Sequence, residues 1–148
     1  MALDLNKNKI DGQIGQIVYE ISPDLHNIVV ADSQATPLKA GDFVKLNTSS
    51  TNIDAPEVLA AAASDVVFGI VKPTPRNNSF AAGDKISVAK SGDIVLLPAG
   101  AAVAVGAELY HNADNEVVSS DPGSGTKCGI ALTYAANKGD LVQVEIKL

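Results

Sequence analysis

Few side chains in this sequence carry reactive chemistry, and their neighbours decide what each is able to do. The two histidines, His26 and His111, and the single cysteine, Cys128, are the natural candidates for base, ligand or nucleophile. His111 stands in Tyr110-His111-Asn112-Ala113-Asp114-Asn115-Glu116, which gathers imidazole, carboxylate and amide groups in one short run. A calcium loop needs oxygen ligands at alternating positions around a turn glycine, and this run has no glycine. It reads instead as a polar hairpin turn between Leu109 and Val117-Val118. His26, in Pro23-Asp24-Leu25-His26-Asn27, reads as a turn residue for the same reason. Cys128 lies in the apolar run Cys128-Gly129-Ile130-Ala131-Leu132 with no local base to draw off its proton. A small buried hydrophobe is expected there.

The remaining motifs read as structure. Gly123-Ser124-Gly125-Thr126-Lys127 lacks the phosphate-loop spacing and leads into a β run, so no helix N-terminus follows to cradle an anion. Lys138-Gly139-Asp140 matches an integrin-type tripeptide, but Gly-Asp also precedes three other strand-like runs. Asn47-Thr48-Ser49 and Asn77-Asn78-Ser79 match glycosylation acceptors without a secretory signal ahead of them. One cysteine excludes an intrachain disulfide and a multi-cysteine zinc cage. No catalytic residue, cofactor site or metal site is expected, and the chain is not expected to be an enzyme.

Charge and composition narrow the partners. There are 17 acidic and 11 basic residues, a net charge of -6, and Arg76 is the only arginine. Phosphate-backbone binding relies on clustered Lys and Arg, so nucleic acid is an unsuitable partner. The longest uncharged run, Ile94 to Ala107, is broken by Pro98, Gly100 and Gly106 and falls short of the ~20 apolar residues of a membrane span. The first residues contain no apolar signal region, so synthesis and folding in the cytoplasm are expected. With three Phe, three Tyr and no Trp, stacking platforms for sugars are scarce, although Tyr19, Tyr110 and Tyr134 remain available.

The elements that must hold these side chains follow a period of two. Val142, Val144, Ile146 and Leu148 alternate with Gln143, Glu145 and Lys147, and Ile17, Tyr19 and Ile21 alternate with Val18 and Glu20. That is the pattern of half-buried strands. Gly41-Asp42, Gly83-Asp84, Gly92-Asp93 and Gly139-Asp140 each precede an apolar run, the glycine supplying positive φ and the aspartate bonding local backbone. The fold class expected is all-β, a small β-barrel or β-sandwich of short antiparallel strands. One short helix is expected at about 54–64, with Asp54 as N-cap, Pro56 in the first turn and Glu57 closing a capping box. Asn47–Asn52 and Ser119–Thr126 read as surface loops.

A weak internal repeat is visible. Ala40-Gly41-Asp42-Phe43-Val44, Phe68-Gly69-Ile70-Val71 and Ala82-Gly83-Asp84-Lys85-Ile86 are followed by Val105-Gly106-Ala107-Glu108-Leu109, Cys128-Gly129-Ile130-Ala131 and Lys138-Gly139-Asp140-Leu141-Val142. The unequal spacing reads as a pseudo-duplication with hairpin loops of different length, joined by Gly92 to Leu97. Residues 1–12 are polar and unpatterned and read as a flexible N-terminal arm before a single β domain over 13–148.

Several of these runs together resemble the capsid decoration, or structural cement, proteins of tailed bacteriophages. They are Pro37 to Leu46, Asp65 to Val71, Phe80 to Val88, Gly92-Asp93-Ile94 and Lys138 to Val144. The resemblance covers residues 13–148 and implies a virion protein on the capsid exterior that bridges major capsid protein subunits, often as a homotrimer. The arm then becomes the expected capsid contact, through Leu3, Leu5, Lys7, Lys9 and Ile10, by adding a strand to a sheet edge. The alternative is a receptor- or glycan-binding β module of a phage tail or head fibre.

Overall fold

The computed structural model describes residues 14–19, 25–123 and 126–148, so the arm and its five expected contact residues lie outside the described residues. The described chain is all-β. In its first part run β1 (Ile17–Tyr19), β2 (Leu25–Val30), β3 (Leu38–Lys39), β4 (Phe43–Leu46), β5 (Glu57–Ala60), β6 (Gly69–Val71), β7 (Ser79–Phe80) and β8 (Lys85–Ala89). Then follow β9 (Ile94–Pro98), β10 (Glu108–His111), β11 (Val117–Val118), β12 (Lys127–Ala131) and β13 (Leu141–Ile146).

The order β2-β5-β4-β6-β8 closes into a barrel, with β2 and β5 parallel and the other pairs antiparallel. The second part carries the order β9-β13-β12-β10-β11 with β1 added on the outer side of β9. A parallel bridge from Ala99 to Val117, with the Gly100 N–H donating to the Val117 carbonyl at 2.9 Å, brings β9 and β11 together and closes this half too.

The pseudo-duplication is therefore real, and it holds residue by residue. Val44 faces Gly69 and Phe43 faces Ile70 in the first barrel; Leu109 faces Gly129 and Glu108 faces Ile130 in the second. Val71 pairs with Val88 as Ala131 pairs with Val144, and Leu46 pairs with Val58 as His111 pairs with Val117. The Val30 N–H donates to the Asp84 carbonyl at 2.9 Å, and its counterpart at Ala99 donates to Asp140 at 2.8 Å. The run Gly92 to Leu97, expected to join two halves, instead carries the opening strand of the second barrel, matching β2.

Each barrel is filled by equivalent residues. Ile28, Val30, Val44, Val58, Val71, Ile86 and Val88 are buried in the first. Leu97, Ala99, Leu109, Val117, Ala131, Val142 and Val144 are buried in the second. β-branched side chains pack well on a pleated half-buried surface, and each buried Val or Leu contributes about 1.5–3 kcal/mol. Gly69 and Gly129 mark where strands approach too closely for a side chain. A Cβ on Gly129 would lie 2.4 Å from the Glu145 carbonyl oxygen, and one on Gly69 would lie 2.8 Å from that of Ala89.

The Gly-Asp motifs form one repeated device. The Asp42, Asp84, Asp93 and Asp140 N–H groups donate to the carbonyls of Lys39, Ala81, Lys90 and Asn137. Each Asp carboxylate in turn accepts from the N–H of that same residue, at 2.8 to 3.0 Å. The glycines between have φ of 85° to 97°, the positive value a type II turn requires.

The expected helix at 54–64 is absent. Glu57–Ala60 is β5, and Val58 fills the first barrel between Val30 and Leu46. The capping signature is used otherwise: the Asn52 side-chain oxygen accepts from the N–H groups of Asp54 and Ala55, a side-chain-closed turn, and the Pro56 carbonyl accepts from Val29. Tertiary pairing with β2 and β4 outweighs local helix propensity here.

Candidate functional site

The two barrels stack head to tail, and the contact between them defines the surfaces left over. Phe43, Val67, Ile70 and Ala89 on the outer face of the first barrel join the apolar cluster of the second. Phe43 lies over the mouth of the second barrel, stacked on His111 with ring centroids 4.7 Å apart and planes 20° from parallel. The Phe43 N–H donates to Asn115 Oδ1 at 3.0 Å. Asn115 sits at φ 58°, a left-handed position that asparagine tolerates.

His111 is thus in the core, at the end of β10, and the polar turn expected around it is the Asn112–Glu116 segment only. The imidazole is 0% exposed. Its Nε2 lies 2.9 Å from the Ala62 carbonyl, an acceptor, so Nε2 carries the proton. Nδ1 has no partner. Burial holds the imidazole below its ordinary pKa, opposed by the Ala62 carbonyl and the Asp65 charge. His26 was expected in a turn, but its backbone lies in β2. Cys128 is buried as expected, and burial pushes its thiol up to about 12. Among the described residues no three His, Cys, Asp or Glu side chains come together as a metal site. Tyr134 is exposed and Tyr110 half-buried, on different strands and loops.

The mouth of the first barrel is the open counterpart of the one His111 closes. Its loop is held by the same bonds. Asn47 Nδ2 donates to Glu57 at 3.2 Å, as Asn112 Nδ2 donates to Glu116 at 3.2 Å, and the Asn47 N–H donates to the Glu57 carbonyl at 2.8 Å, as Asn112 does to Glu116 at 2.9 Å. Where His111 is sealed, Leu46 is 46% exposed. Leu46 opens onto a groove of about 570 Å³ lined also by Lys45, Asp65, Val66, Phe68 and Lys90. Val66 is 82% exposed, and Ile53 in the nearby loop is 96% exposed.

Lys90 stands where the second barrel has buried Ile146. Its Nζ sits 3.7 Å above the Phe68 ring and donates to the Phe68 carbonyl, and burial holds the ammonium below its ordinary pKa. Lys45 pairs with Asp65 at 2.9 Å, and this bond holds the Asp65 carboxyl below the usual range. The second barrel's outer face differs as sharply from the first's. At the positions of Phe43 and Val67 it carries Glu108 and Lys127, an exposed ion pair at 2.5 Å. Glu145 replaces Ala89 there, and Ile130 alone retains its type. These groove and face residues were not singled out from sequence. Aligning the repeat would have found them, since it sets Phe43 against Glu108 and Lys90 against Ile146.

This arrangement of paired small barrels and its sequence have known relatives. A profile of the phage cement protein family matches residues 22–148. The chain belongs to that family. The cement-family chain is also similar to a solved structure, the N base of head fibre gp8.5 in bacteriophage phi29. The TM-score is 0.56 at 21% identity, over 80% of this chain and 91% of the other. That likeness shows a shared fold. No curated protein sequence matches the chain. The family assignment makes it a phage structural protein, in line with the resemblance read from its β-turn runs.

Proposed function

We propose that this protein decorates the outer surface of a bacteriophage capsid and stabilises it by bridging major capsid protein subunits. The observation that carries this reading is the family match over nearly the whole described chain. Two barrels joined through a buried apolar junction give a stiff body, and its exposed charged and apolar faces suit docking to protein. Each contact with the lattice need only be modest, because a homotrimer engages several sites at high effective concentration. Binding the expanded lattice in preference to its precursor stabilises the former by mass action.

In this reading the chain is made in the host cytoplasm and joins the virion from outside. Residues 13–148 act as one β body, and residues 1–12 act as an arm. Leu3, Leu5, Lys7, Lys9 and Ile10 contribute to the capsid contact by extending a sheet edge, which needs main-chain bonds and no pocket. Co-sedimentation with expanded and unexpanded shells of the parent phage tests this. Saturable pelleting with expanded shells, weakened by deletion of residues 2–12, is expected. No pelleting at any concentration overturns the reading, and unchanged occupancy after the deletion removes the arm from it.

A further inference from the structure

The stacking within the chain leaves one donor face and one acceptor mouth unused. The outer face of the first barrel sits on the mouth of the second. Among the described residues nothing covers the mouth of the first barrel or the outer face of the second, and they correspond residue for residue to the surfaces already joined. We infer that a second copy of this chain docks its second-barrel outer face into the open mouth of the first barrel, head to tail, with the partner's Glu108 against Lys90.

The intrachain junction supplies the geometry. Phe43 covers His111, and its N–H bonds Asn115. The matching positions are Glu108 for Phe43, Leu46 for His111 and Ser50 for Asn115, whose N–H groups both bond back to the Asn at the loop start (Asn47 and Asn112). Ile146, in the same buried cluster as Phe43, is matched by Lys90.

The chemistry then exchanges consistently on both sides. Where the permanent junction sets phenylalanine against an apolar mouth, the open pair sets a face carrying Glu108, Glu145 and Lys127 against a mouth carrying Lys90 and the Lys45–Asp65 pair, so one carboxylate in excess meets one ammonium in excess. Leu46 and Val66 supply the apolar floor, and Ile130 the apolar element of the incoming face. In the single chain Glu108 is held by Lys127 in an exposed pair, and such pairs are worth little, so trading Lys127 for Lys90 is cheap. Charge in place of aromatic packing makes this contact reversible and sensitive to salt. A head-to-tail contact of this kind closes into a ring when its rotation permits.

The inference rests on the homo-oligomeric reading above and specifies its interface. Sedimentation velocity of the full chain at low and high salt tests it, alongside Lys90→Glu, Glu108→Lys and the double variant. The wild type is expected to sediment as an oligomer at low salt. Each single reversal should reduce it to a monomer, and the double reversal should restore assembly. Glu108→Gln, a milder change, should weaken assembly with an unaltered circular dichroism spectrum. A wild type that is monomeric at every concentration, or single reversals that leave the oligomer intact, overturns the interface. Capsid co-sedimentation separates the two claims: monomeric variants that still decorate shells leave the cement reading standing without this contact, and an oligomer that ignores shells does the reverse.

Discussion

The two barrels share registers, turn devices and core positions, yet they meet their surroundings in opposite ways. The first presents Phe43, Val67, Ile70 and Ala89 outward and spends them on its sister barrel, while its own mouth stays open around Leu46 and Lys90. The second has its mouth sealed over His111 and turns Glu108 and Lys127 to solvent. The loop at the mouth follows suit: it runs from Asn47 to Glu57 in the first barrel and only from Asn112 to Glu116 in the second, between the same Asn–Glu bonds. The lesson is that the framework is set by glycines and aspartates at strand starts and crossings, whereas role is set by the few side chains on each barrel's outer face and at its mouth.

The widest contrast should come from the matched pair Phe43 and Glu108. Phe43→Ala removes a fully buried ring from the junction and should cost about 3–5 kcal/mol in urea unfolding. Glu108→Ala, at the equivalent exposed position, should leave the unfolding midpoint unchanged at high salt, where the chain is monomeric. Equal losses at the two positions would break the comparison, because they would mean that the two outer faces are alike.

The close-crossing glycines come next. Gly129→Ala should destabilise by about 1–3 kcal/mol, since the new methyl meets backbone at Glu145 and cannot be relieved by a rotamer change. Gly69→Ala should cost less, because its nearest contact is longer. The reverse order would show that the first barrel is the more rigid of the two.

The smallest effect is pH-dependent and sharpens the contrast between the mouths. Burial depresses the His111 pKa in the folded state, so as pH falls below 6.5 the unfolded chain takes up a proton that the folded one refuses. Stability from this group is fully present above that pH and declines below it, by at most about 1.4 kcal/mol per pH unit, until the folded pKa is reached. His111→Leu, which installs the residue found at the first barrel's mouth, should remove this slope just below pH 6.5. The Asp65 carboxyl, held low chiefly by Lys45, adds its own loss only as pH falls below 3.8, outside the His111 window. An unchanged acid slope in His111→Leu would place the proton uptake elsewhere.

Much of this is legible in the amino-acid sequence. Alternation at 142–148 and the Gly-Asp starts marked strands because both signals are local. So did the repeat, whose glycines at 69 and 129 report a physical crossing in each barrel. The helix expected at 54–64 does not form because a capping pattern is local, while the pull of Val58 into a barrel between β2 and β4 is not. His111 reads as a turn residue for a similar reason. Its sequence neighbours are polar, but what buries it is Phe43, far along the chain. The groove at Leu46 and Lys90 carries no motif at all; only the difference between two copies of one barrel exposes it.

The cement role itself is tested most directly by heating expanded capsids of the parent phage, stripped of this protein and then restored with increasing amounts of it. The account predicts that the disruption temperature rises with occupancy and levels off when the sites are full. A disruption temperature that stays constant at full occupancy would contradict it.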